Sequence, residues 1–199
     1  MVFPITYLGS TSYWQQWLND TDALIEQWET FPKQTERNRC TIAGANGIEQ
    51  LTIPVERQHG RQLKTRDIHI TYQENWQHRH RQAFKSAYQH SAFYDYYAEF
   101  FDPFYTKKYN FLLDFNIGLM EVCLKLLDIK KTIRLTDDYI GISYSQSPIA
   151  DSTIRIPDYY QVFQDRYGFL PDMSIIDMLF NTGPEARDIL KVKSNDKLE

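Results

Sequence analysis

The chain has 199 residues, the length of one domain able to bury about 70 % of its unfolded surface around a single core. Hydrophobic residues make up 42 % and charged residues 24 %, with a net charge of −4, which excludes a disordered chain and argues against bulk nucleic-acid binding. The most apolar run, Phe111 to Ile129, is broken by Asp114, Asn116, Glu121, Lys125 and Asp128, so no membrane span is expected.

The first ten residues lack the cationic and apolar regions of a signal peptide. Cys40 and Cys123 form neither a disulfide framework nor a redox motif, and no His/Cys spacing suits a metal, so a reduced, cytoplasmic protein without a metal site is expected. Charge is uneven along the chain. Residues 33–90 carry ten Lys/Arg against five Asp/Glu and all five histidines, while the remainder carries twelve against twenty-one. A basic block on an acidic protein suits a small anionic ligand better than a duplex; an ordinary solvated face is the alternative.

In chain order, residues 3–8 read as a short strand. Ser10 or Thr11 can cap a helix carrying Tyr13, Trp14, Trp17 and Leu18, and Ala23 to Trp28 reads as a second strand ended near Phe31-Pro32. Cys40, Ile42 and Gly44 alternate with Thr41, Ala43 and Ala45, and Leu51, Ile53 and Val55 alternate beyond Asn46-Gly47. The pattern predicts a β-hairpin with a type I′ Asn-Gly turn and Pro54 at its end or edge. Residues 56–66 read as a polar loop and 67–72 as an alternating strand.

A helix from Trp76 to about His90 buries the row Trp76, His80, Phe84, Tyr88 and turns His78 to water. A short aromatic helix ends before Pro103. The longest helix, Lys108 to about Asp128, carries Leu112, Phe115, Leu119, Val122 and Leu126, with Asn116 and Cys123 beside that stripe. A strand at 132–136, a Ser/Asp/Pro-rich loop to 158, helices at 159–167 and 174–180, and a last helix begun by Pro184 complete residues 1–190, which read as one domain. Residues 191–199 read as a frayed tail. The fold class is α+β: a small, mostly antiparallel sheet in the first third, packed by helices from the remainder.

Arg37, Asn38 and Arg39 are the sharpest site candidates. Two guanidinium forks around an amide, entering a strand on one face, suit phosphate or carboxylate; pairing with acidic residues of the scaffold is the alternative. His80 is the candidate general base, since burial on a packed helical face can tune its pKa, against the alternative of a core histidine. Asp67 can orient His80 or a substrate amine, or be an exposed turn residue. Cys40 beside Arg39 is a candidate thiolate, or a buried inert cysteine. Tyr88 with Tyr94, Tyr96 and Tyr97 can stack on a sugar or base, or belong to the core.

The run KQTERNRCTIAGANGIEQLTIPV (33–55) resembles the WbqC-like family of bacterial proteins. The similarity continues through Asp67-Ile68, the Trp76–His80 helix start, Ser86-Ala87-Tyr88, Phe93 to Tyr97, Leu113 to Asn116 and the C-terminal run 159–190. The start, ITYLGSTSYW, departs from the Pro-rich tyrosine motif expected of that family. The resemblance implies a transferase that moves an aminoacyl (for instance glycyl) or similar acyl group onto an amino-sugar in O-antigen-type surface polysaccharide biosynthesis. In that reading Arg37 and Arg39 hold the phosphate of a nucleotide-sugar or acyl donor. His80 takes the proton of the attacking amine, and Asn38 or Asn116 orients the carbonyl. A non-catalytic module binding a small anion or a partner protein is the alternative. Cofactor and oligomeric state are not legible.

Overall fold

A computed structural model describes residues 1–191 except 34, 57–61 and 145–155. The predicted tail at 192–199 and much of the predicted loop before 158 lie outside the described residues. The architecture is α+β. Strand β1 (Val2–Pro4) leads through helix α1 (Thr11–Asn19) to β2 (Leu24–Glu26), and these two strands pair in parallel. A separate antiparallel ribbon joins β3 (Arg39–Gly44) to β4 (Gly47–Thr52). Five further helices follow that matter below: α2 (Trp76–Tyr88), α3 (Tyr94–Phe101), α4 (Leu112–Leu126), a single turn α5 (Gln164–Tyr167), and α6 (Ile175–Thr182). A last helix, α7 (Ala186–Lys191), follows Pro184. Among the described residues no helix is long and apolar enough to cross a membrane.

The β structure is more fragmented than its alternation predicts, and the reason is where backbone donors go. Beyond β2 the amides of Trp28, Ile140 and Gly141 donate to the buried carboxylate of Glu26 instead of a ladder, at 2.8, 2.9 and 3.1 Å. Burial raises the Glu26 pKa, and these donors with Thr136 more than reverse it, leaving the carboxyl below its usual range. The predicted strand at 132–136 is reduced to one parallel bridge, Ile25 with Leu135. The predicted strand at 67–72 is likewise a 3₁₀ turn (Thr65–Asp67) followed by bridges Val55–Ile70 and His69–Phe111, although Ile68 and Ile70 are both buried as the alternation requires.

The hairpin closes one residue earlier than an Asn-Gly type I′ turn would. Ala45 and Asn46 form the turn, Gly44 pairs with Gly47, and Gly47 (φ 98°) takes the positive φ while Asn46 does not. Tyr167 and Arg166 of α5 donate to the Ala45 carbonyl and hold the tip down. Helix α2 packs its Trp76, His80, Phe84, Tyr88 row into the core as expected. On α4 the buried stripe is rotated: Asn116 and Cys123 are fully buried, while Val122 and Leu126 lie at its edge.

Candidate functional site

The structure scatters the sequence-predicted site. Glu36 to Asn38 form a turn before β3, so Arg37 and Arg39 do not share a strand face. Arg37 is buried. Its Nε and Nη2 form a two-pronged pair with the Glu29 carboxylate (Nη2 at 2.7 Å), and Nη1 donates to Thr35. That geometry ties the hairpin to the segment after β2. The Asn38 amide donates to the Ile53 carbonyl at 2.9 Å, and Asn116 reaches from α4 to the Arg37 carbonyl at 2.7 Å. These three residues are staples of the hairpin root, and their side-chain donors face the chain's own acceptors.

His80 is sealed. Its Nδ1 lies 2.8 Å from the Tyr7 hydroxyl, which lies 2.7 Å from the Tyr105 hydroxyl, and Trp76, Phe84 and Tyr105 surround the ring. Burial pushes its pKa down to about 4, against a smaller opposing pull from the Thr52 backbone carbonyl. Sealed in this way, with its Nδ1 held by a buried tyrosine, the imidazole is poorly placed to take a proton from a substrate, and the general-base expectation gains no support from this geometry. Asp67 does not orient it: that carboxylate is exposed and faces Arg66 at 3.9 Å.

Tyr88 is equally enclosed, donating to Asp177 Oδ2 at 2.9 Å. The other Asp177 oxygen accepts from Tyr159 (2.8 Å) and Gln161 (2.9 Å). No cation is among these partners, so burial drives the Asp177 carboxyl up, the hydrogen bonds countering in part. The Cys40 thiol is also pushed up by burial rather than acidified by Arg39.

Of the predicted anion-binding residues, Arg39 lines an open recess. A cleft of ≈ 50 Å³ is bounded by Tyr7 to Ser10, Glu36, Arg39 to Thr41, Asp172 and Ser174. It forms where the starts of α1 and α6 clasp each other. Ser10 bridges Ser174, the Thr11 amide donates to Met173, and the Ile175 amide donates to Gly9. Ser10 and Ser174 cap their own helices, and the Asp172 carboxylate accepts from the Ser12 amide at 2.9 Å. The first-turn amides of both helices are therefore satisfied within the chain, and the cleft's unengaged donor is the guanidinium. Arg39 Nε is buried with no hydrogen-bond partner among the described residues.

The cleft is also where the backbone is strained. Leu8 (φ 49°) and Asp172 (φ 56°) are non-glycine residues in the left-handed region, and a Cβ at Gly9 would stand 2.9 Å from Tyr13 while striking Thr6 Oγ1. Sequence reasoning found Ser10 as a cap and a helix over 174–180 but missed the Ser174 cap, Glu36 and Asp172. Positions 10 and 174 meet only after folding, so no local signal carries that contact. In chemical terms the cleft's lining offers one guanidinium and the carboxylates of Glu36 and Asp172, around a space large enough for a few waters or a head group.

Comparison with known proteins adds one match. A family model described as the WbqC-like protein family covers residues 6–156. No curated protein and no solved structure matches the chain.

Proposed function

The chain belongs to the WbqC-like protein family, and from that premise we propose that it acts in bacterial surface polysaccharide biosynthesis, in the cytoplasm, by binding a small charged group in the Arg39 cleft. The observation that carries the reading is the buried, unpartnered Nε of Arg39, flanked in the cleft by Glu36 and Asp172. A buried donor left unmade costs about 1–3 kcal/mol, so a carboxylate or phosphate that supplied the acceptor would gain that amount. The Asp172 carboxylate, which also lines the cleft, suits an ammonium. A group bearing both charges, such as an aminoacyl or amino-sugar moiety, fits the arrangement better than a simple anion.

Transfer of an aminoacyl group onto an amino-sugar is a second reading, favoured by the carboxylate of Asp172 in the cleft. There the attacking amine would form the C–N bond and the donor's acyl bond would break. The amine proton would pass to a cleft carboxylate, a role that His80 is poorly placed to fill. Thermal-shift titrations with glycine, glucosamine 6-phosphate and inorganic phosphate test both readings. Stabilisation by at least one ligand, lost in Arg39→Ala, is expected. Stabilisation by both glycine and the amino-sugar would favour transfer, and no response to any of the three would remove the cleft as a ligand site.

A further inference from the structure

A second recess lies between α2 and α3, with a volume of ≈ 250 Å³. Its α2 wall is the exposed row His78, Arg81, Gln82 and Lys85, spaced i, i+3, i+4, i+7 so that all stand on one face. Its α3 wall is Tyr94 and Ala98, and buried Phe180 of α6 packs edge-on against Tyr94 at 5.1 Å. Arg81 crosses the groove through Nε to Asp102 at 3.0 Å. Its two terminal nitrogens, and the Lys85 ammonium, have no partner among the described residues. Within the lining one carboxylate faces two cations, with Asp95 beside Tyr94 at the rim, and Arg81 and Lys85 sit over an aromatic floor.

We propose that this groove binds a phosphate monoester carried on a ring, of the size of a nucleoside monophosphate or a hexose phosphate. The terminal nitrogens of Arg81 and the Lys85 ammonium take the phosphate oxygens. The ring lies over Ala98, whose small side chain leaves the space, and against the half-buried Tyr94. The size supports a ring: a cavity of about 150 Å³ accommodates benzene, so this groove has room for a whole ring with substituents, whereas the Arg39 cleft takes only a charged head group. The two recesses share no lining residue, so this inference does not rest on the reading of the cleft.

Isothermal titration calorimetry with UMP, glucose 1-phosphate and inorganic phosphate tests it on the full chain, alongside Lys85→Glu, Ala98→Leu and Arg39→Ala. At least one of the two ring phosphates should bind the unmodified protein, more tightly than inorganic phosphate. Lys85→Glu, by charge, and Ala98→Leu, by filling space, should each weaken it tenfold or more, with Arg39→Ala unchanged. Preference for UMP identifies a nucleotide as the ligand, and preference for glucose 1-phosphate a sugar phosphate. Binding of neither ring phosphate overturns the proposal. So does binding no tighter than inorganic phosphate, or a loss confined to Arg39→Ala.

Discussion

Arg37 and Arg39 stand two residues apart, and the protein uses them in opposite ways. Arg37, on the buried underside of the hairpin, has Glu29 and Thr35 as partners. Arg39, at the start of the hairpin, has a buried nitrogen with no hydrogen-bond partner among the described residues. The same division runs through the neighbouring polar groups. On the buried side Asn38, His80 and Tyr88 each point a polar atom at a defined acceptor or donor within the chain, and Asn116 donates to Arg37, though its Oδ1 has no hydrogen-bond partner among the described residues. At the cleft, Asp172 is held by α1 while Arg39 still lacks a partner for a buried donor. A polar side chain satisfied inside the fold contributes to stability; one left unsatisfied at a cleft points to a ligand.

The comparison can be broken most severely at Arg37. Arg37→Ala leaves Glu29 without its partner in a site where the two side chains are only 8 % and 12 % exposed. It should cost about 3–5 kcal/mol in urea unfolding. If the variant unfolds within 1 kcal/mol of the parent, the staple assignment is wrong.

His80 gives the next largest effect and a sign that can be checked. Its folded-state pKa of about 4 lies below the ordinary 6.5. Between those values the unfolded chain takes up a proton that the folded chain refuses. His80's contribution is therefore fully present above pH about 6.5 and is lost as pH falls toward 4, by roughly 3 kcal/mol at 1.36 kcal/mol per pH unit. Asp177 acts in the other direction, because its carboxyl is raised by burial and gains its proton earlier in the folded state. The measurement is accordingly a difference: unfolding free energies of the parent and His80→Gln at pH 7.5 and 4.5. The parent should lose more stability than the variant over that interval, and equal losses would return His80 to an accessible, ordinary histidine.

The smallest expected change sharpens the contrast. Arg39→Leu removes an unpartnered donor, so unfolding stability should stay within about 0.5 kcal/mol of the parent or rise slightly. A loss as large as that of Arg37→Ala would make Arg39 a second staple and leave the cleft without its ligand group.

Much of the scaffold was legible in the residues themselves. The α2 row from Trp76 to Tyr88, the Ser10 cap, the Pro184 restart and the hairpin's alternation are local patterns with a helical or two-residue period, and each is realised. The shorter strands were not legible in the same way. Alternation at 67–72 and 132–136 reports which side chains are buried, but not whether a neighbouring backbone is free to pair. Here the 110–112 segment takes backbone groups of 67–72, and the 132–136 segment pairs with the single residue Ile25.

The sequence by itself determined the α+β class, the family, the helix faces and the basic character of the hairpin region. Only the tertiary structure decided which basic and polar groups find partners within the fold. That choice depends on contacts between residues far apart in the chain: Glu29 with Arg37, Tyr7 with His80, Asp177 with Tyr88, and the clasp of Ser10 with Ser174 that shapes the cleft around Arg39. Local periodicity can say that a side chain is inside. Whether it has a partner there is set by the other half of the molecule.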